Sequence, residues 1–369
     1  MKILVTGSRG FIGKNLIAEL KNRGYQNILE YHKDTDQELL VEYTKCCDFV
    51  CHLAGVNRPE SDEQFYEGNS GFTSQLVNLL KENGKNTPVL FTSSIQVGRD
   101  NAYGKSKKLA EEVVFQYGHD TKTNVFVYRL PNIFGKWCRP NYNSVVATFV
   151  HKIARDEEIV IHDAEAKLNL AYIVDVVEEF IKVIEGKVDS VSDVIDLPVT
   201  KCIKVGELAE KIQLFKANRD TLKMPSLEDK FDRALYATYL SYLEENNFSY
   251  KLNKKVDNRG WLAEFIKSDS MGQIFVSKTK PGISRGNHWH HTKVEKFLVL
   301  QGKAVIRFRQ INSEKIIEYK VDGETPEVVD IPVGYTHSIE NLGEEDLITL
   351  FWACEVFDPA RPDTYWLEV

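Results

Sequence analysis

No apolar stretch in the 369-residue sequence approaches the ~18–20 residues that a membrane-spanning helix needs, so no membrane insertion is expected. Runs of lysine and arginine are missing too, and the formal net charge is −7. A polyanion groove is therefore not indicated, and no nucleic-acid partner is expected. Internal repeats and low-complexity tracts are absent, which excludes a solenoid. The six cysteines, Cys46, Cys47, Cys51, Cys138, Cys202 and Cys354, include no Cys-x-x-Cys pair, and most sit in apolar segments. They read as buried free thiols in a reducing cytoplasm. The chain opens on a strand and a glycine loop rather than a secretory leader, so a cytoplasmic location is expected.

What is present is a soluble globular composition, 43% apolar and 27% charged. The length exceeds one ordinary core and suggests two domains. Up to about residue 130, apolar runs alternate with helical patterns. Strands are predicted at Ile3–Thr6, Asn27–Tyr31, Asp48–Ala54, Pro88–Ser93 and Thr123–Leu130, and helices at Phe11–Arg23, Gly71–Asn83 and Tyr103–Tyr117. This β-α-β order implies an α/β Rossmann-type, doubly wound parallel sheet. From Asn143 to Asn246 the pattern is more helical, with short strands predicted near Ile159–Ile161 and Val194–Leu197. Phe231, Leu235 and Tyr239 recur every four residues, as on a packing face. Past residue 250 come short alternating segments without helical period, indicating an all-β barrel or sandwich. The boundary is placed at 248/249.

Gly7, Gly10 and Gly13 fall where the first strand hands over to the first helix. Such glycines permit a tight turn, a close approach to a pyrophosphate and close helix–strand packing. At the end of the second strand, where an acid would bind ribose hydroxyls, stands Tyr31, followed by His32 and Lys33. With Arg9 in the glycine loop, these cations suit a 2′-phosphate and hence NADPH. Tyr103 and Lys107, four apart, share one helical face. A cation beside the phenol favours its phenolate, and Lys107 can also hold the nicotinamide ribose. Ser94, ending a strand, can hydrogen-bond a substrate carbonyl.

Residues 1 to about 245 resemble an extended short-chain dehydrogenase/reductase that modifies sugar nucleotides. The matching segments are Thr6–Gly13, His52–Gly55, Asn69, Thr92–Ser94, Tyr103–Lys107, Arg129–Gly135 and Ala171–Val177. The resemblance implies that Ser94, Tyr103 and Lys107 are catalytic and that Asn132 lies near the sugar nucleotide. It also implies cofactor contacts from Phe11 and Ile12 and from Leu53, Ala54 and Gly55. Tyr103 follows Ser94 by nine positions, a shorter spacing than is usual in the family.

In the second half, His288 and His290 are one residue apart, so on a strand they leave the same face. Glu295 follows after a turn, and His337 comes from a later strand. Three imidazoles and a carboxylate suit one divalent transition metal, zinc being the first choice. The pattern Gly282, His288, His290, Glu295, Gly302, then Pro332, Gly334, His337, Asn341, resembles both motifs of the cupin jelly-roll family, with Pro326 where the second motif usually starts with glycine. The stretches Asp257–Phe265 and Ser284–His288 are similar to deoxysugar-nucleotide epimerases that act beside a 4-keto group. Those use arginines at the positions of Arg259 and Arg285 to bind a sugar diphosphate. His288 is both the position of their base and a candidate ligand here.

Taken whole, the arrangement resembles the bifunctional enzymes of UDP-N-acetyl-L-fucosamine synthesis, used for bacterial capsule or O-antigen. The resemblance implies a UDP-sugar substrate, C3 epimerisation in a cupin domain, NADPH-dependent C4 reduction, and a homodimer. A single-activity reductase with the cupin as a binding module is the competing expectation.

Overall fold

The computed structural model describes residues 1–188 and 193–369. The chain divides into two compact units, Met1–Ile212 with Asp229–Leu243, and Gln213–Glu228 with Glu244–Val369. In chain order the strands of the first unit are β1 (Ile3–Thr6), β2 (Ile28–Tyr31), β3 (Phe49–His52), β4 (Val89–Ser94), β5 (Val125–Leu130), β6 (Asn132–Phe134), β7 (Lys167–Tyr172), β8 (Ile195–Asp196) and β9 (Lys201–Lys204). Among the described residues the α-helices are α1 (Phe11–Asn22), α2 (Gln37–Cys46), α3 (Glu63–Phe65), α4 (Phe72–Glu82), α5 (Ala102–Thr121), α6 (Val145–Ala154), α7 (Ile173–Ile184), α8 (Val205–Thr221) and α9 (Lys230–Leu240).

The six-stranded sheet runs β2-β1-β3-β4-β5-β8, parallel throughout. Its strands are apolar at successive positions because both faces are covered. Ile3 and Val5 pack with α1 and α7, whereas Leu4 packs on the other face with α2, α4 and α5. Strand order reverses beside β1, so the loops after β1 and β3 flank a crevice at the carboxyl edge, where such sheets bind ligands. Phe231, Leu235 and Tyr239 are buried on α9.

One expectation fails and one element went unread. No strand forms at 159–161: Val160 is 64% exposed and the apolar run is too short to be assigned by pattern. The strand falls instead at β7, which gains ladders to β6 and β9. Helix α2 was not read from the sequence. It is capped by Asp36, which accepts from the Glu38 N–H, but buries only Leu40 and Thr44.

The second unit holds β10 (Lys254–Asp257), β11 (Gly260–Ser268), β12 (Gly272–Thr279), β13 (Ser284–Trp289), β14 (Glu295–Gln301), β15 (Lys303–Gln310), β16 (Ile316–Asp322), β17 (Val328–Ile331), β18 (Tyr335–Asn341), β19 (Leu347–Ala353) and β20 (Tyr365–Trp366). They form two antiparallel sheets, β10-β11-β12-β19-β14-β17 and β16-β15-β18-β13-β20, as in a cupin jelly roll. Phe297, Phe308, Ile339 and Phe351 lie in the core built from both sheets. Residues Leu222 and Met224 run beside β11, exchanging backbone hydrogen bonds with Lys267.

Candidate functional sites

The crevice of the first unit is a cleft of about 920 Å³. Gly7 has φ +68°, and a Cβ there would stand 2.8 Å from the Ala54 nitrogen. At Gly13 a Cβ would meet the Gly7 carbonyl at 2.3 Å. Helix α1 begins after Gly10 without a side-chain cap, so its first N–H groups are available to an anion. Gly7, Arg9, Gly10, Phe11, Ile12, Gly13, Leu53 and Gly55 all line the cleft.

His52 orders the loop after β3. The Thr73 hydroxyl donates to the Asn69 carbonyl at 2.7 Å, so it accepts from His52 Nε2–H at 2.9 Å. Nδ1 then accepts from the Thr6 hydroxyl at 2.7 Å, whose oxygen accepts from the Ala54 N–H at 3.3 Å. Burial pushes His52 down to about 3, which keeps this neutral tautomer. Ala54, expected as a cofactor contact, is not among the residues lining the cleft, and its N–H is held by Thr6. Asn69 holds Val56, two residues on, accepting from its N–H at 2.9 Å and donating to its carbonyl at 3.2 Å.

Ser94 ends β4, and Tyr103 and Lys107 stand in the first turns of α5, which Asn101 caps by accepting from the Gly104 N–H. Lys107 is 5% exposed; its Nζ donates to the Thr92 carbonyl at 3.1 Å and lies 5.2 Å from the Phe91 ring centre. Burial pulls it down to about 8. Burial pushes Tyr103 up, and Ser94 beside it opposes that shift. Asn132 lines the same cleft.

His32 and Lys33 lie in the loop after β2, and the sequence reading overlooked Asp34 beside them. Asp34 is 3.9 Å from Arg9 and 3.6 Å from His32, so the basic group contains one carboxylate. Tyr31 is core, stacked on Phe72. Sequence reasoning also missed Arg58 and Arg139, whose guanidinium carbons lie 5.9 and 5.1 Å from the centre of the Tyr142 ring. Neither stands in a spacing pattern, so no sequence signal marks them. Among the described residues, the cleft lining includes Arg9, Lys14, Arg58, Lys107 and Arg139 but no aspartate or glutamate.

In the second unit, candidate ligand atoms of His288, His290, Glu295 and His337 lie within 4.8 Å of one another. Register explains why. A bulge between Gly286 and His288 leaves Asn287 extra, with φ +57°. His288 thereby takes the parity of Arg285, and both face the strand partners His337 and Ile339. Glu295 Oε2 is 3.5 Å from Nε2 of both His290 and His337. Those two nitrogens are buried without a hydrogen-bond partner. His290 Nδ1–H donates to the Asp363 carbonyl at 2.6 Å, which turns the Nε2 lone pair to the cluster. Burial lowers His288 to about 4, and the neighbouring imidazoles hold Glu295 well below the usual carboxylate range despite its burial. Three imidazoles and a carboxylate, with two of the imidazole nitrogens buried and unpartnered, are the donor set a divalent metal takes.

Arg259 caps the β10–β11 hairpin and is bound to Asp257 at 2.6 Å. Arg285 donates to the Thr279 hydroxyl at 2.9 Å and lies 3.7 Å from the same Asp257. One carboxylate thus faces both arginines.

A glycine loop at the switch point of a parallel sheet, with serine, tyrosine and lysine beside it, defines a nicotinamide-nucleotide-dependent class. Residues 3–195 match the NAD dependent epimerase/dehydratase family, to which the chain belongs, and residues 255–365 match the polysaccharide biosynthesis C-terminal domain. The chain is 45% identical over 367 residues to the UDP-2-acetamido-2,6-beta-L-arabino-hexul-4-ose reductase of Pseudomonas aeruginosa, covering 99% of this chain and 98% of that protein. It is 48% identical, with a TM-score of 0.94 and complete coverage of both chains, to the crystal structure of the capsular polysaccharide assembling protein CapF from Staphylococcus aureus. The spore coat polysaccharide biosynthesis protein SpsL of Bacillus subtilis is 26% identical over 123 residues, 31% of this chain and 82% of that protein. Among the described residues, no helix is long and apolar enough to cross a membrane.

Proposed function

We propose that the chain is a sugar-nucleotide 4-ketoreductase of capsular polysaccharide or O-antigen synthesis whose second unit first inverts C3. The substrate is a UDP-4-keto-6-deoxy-N-acetylhexosamine, and the product is UDP-2-acetamido-2,6-dideoxy-L-talose. The observation that carries this reading is the presence of both sites on one chain that is 45% identical, end to end, to a reductase acting on a hexul-4-ose. A bound NADPH supplies the hydride; Arg9, His32 and Lys33 suit its 2′-phosphate. Tyr103 gives its phenolic proton to the C4 oxygen, Ser94 hydrogen-bonds that oxygen, and Lys107 supports the phenolate left behind. Arg58 and Arg139 suit the diphosphate.

A C4 ketone acidifies the neighbouring C–H bonds, because the carbanion delocalises onto oxygen. Once C4 is an alcohol that acidity is gone, so inversion precedes reduction. His288, His290, Glu295 and His337 would hold a divalent metal, zinc first, which would supply positive charge to stabilise an enolate.

The test supplies the 4-keto sugar in D2O without NADPH, before and after chelation. Deuterium at C3 that is lost on chelation is expected. No exchange, with intact NADPH oxidation, leaves a single-activity reductase whose second unit is a binding module.

A further inference from the structure

Between the ligands His290 and Glu295 lies the loop of His291, Thr292, Lys293 and Val294, and one residue 70 positions away holds most of it. The Asp363 carboxylate accepts from the N–H groups of His291, Thr292 and Lys293 at 3.0, 2.9 and 2.9 Å, and from the Thr292 hydroxyl at 2.9 Å. Its backbone carbonyl accepts from His290 Nδ1–H at 2.6 Å. Asp363 itself takes a positive φ of 34°, which side-chain-bearing residues rarely adopt. The segment is anchored on either side. Lys293, 5% exposed, donates through Nζ to the Pro362 carbonyl at 3.1 Å and the Thr364 hydroxyl at 2.8 Å. Beyond it, β20 pairs with the ligand strand β13, and the Leu367 N–H bonds the Asn287 carbonyl at 3.0 Å.

We infer that Asp363 is a positioning residue for the metal centre: its carboxylate splints the ligand loop while its carbonyl fixes the tautomer and ring orientation of His290. The inference rests on the reading that the four residues hold a metal. Groups that orient ligands in this way commonly change metal affinity by about 10–100-fold.

The test uses the full-length protein. Zinc affinity is measured by competition with a chromophoric chelator, and amide exchange is followed across residues 291–293. Asp363→Ala is expected to weaken zinc binding by about 10–100-fold and to speed exchange of those amides. Asp363→Asn keeps the backbone carbonyl and one side-chain oxygen, so it falls between. In the cobalt(II)-substituted protein, Asp363→Asn should also shift the d–d bands, which a general loss of stability does not do. Zinc affinity and cobalt bands unchanged in Asp363→Asn, with zinc affinity also unchanged in Asp363→Ala if that variant folds, overturn the inference. A wild-type protein that binds no zinc overturns the metal reading itself, which separates the two failures.

Discussion

Lys107 carries its charge in a setting that resists it, and the sign of the consequence can be worked out. Unfolded, the ammonium titrates near 10.5; folded, burial brings it to about 8. Below about 8 both states hold the proton and the burial penalty is complete. Between 8 and 10.5 the folded protein releases a proton that the unfolded chain keeps, so stability rises with pH. In urea unfolding of nucleotide-free protein, wild type should therefore gain on Lys107→Met between about pH 7.5 and 9.5. An unchanged difference would contradict a buried ammonium. That Tyr103 and Lys107 stand in the first turns of one helix was legible, since residues four apart share a helical face. That the lysine would be buried and pulled down to about 8 was not, since it depends on how α5 packs beside β4.

At the level of elements, the turn from β1 to α1 was readable because its glycines answer a steric demand that leaves few alternatives. Gly13→Ala places a methyl group 2.3 Å from the Gly7 carbonyl. The expected result is a loss of ~1–3 kcal/mol in urea unfolding, as for overpacking elsewhere, together with weaker NADPH binding by fluorescence titration. Equal affinity in the two proteins would mean the loop tolerates displacement. Helix α2 escaped the sequence reading because a helix that buries two residues carries little periodicity. The apolar run at 159–161 misled for the opposite reason: three apolar residues satisfy any pattern. In the second unit, alternate spacing was enough to put His288 and His290 on one face. The bulge that brings Arg285 to that face came from Asn287 in a left-handed conformation, which asparagine tolerates but does not announce. Asp363 had no local signal at all, since its partners lie 70 positions earlier.

For the whole molecule, the proposed division of labour predicts separable losses. Tyr103→Phe should lower NADPH oxidation by ~10²–10⁴-fold while deuterium exchange at C3 continues. Loss of both activities would show that the sites do not work independently. One further consequence concerns how ligands arrive. The chain bears a formal net charge of −7, yet the cleft of the first unit is lined by cations and no carboxylate among the described residues. A dianionic nucleotide far away meets repulsion, and near the cleft it meets attraction. Salt screens the distant field first, over a Debye length of ~8 Å at physiological ionic strength. Moderate salt thus flattens the outer barrier to diffusional encounter while leaving much of the inner well, so association with this cleft need not slow monotonically as salt is added.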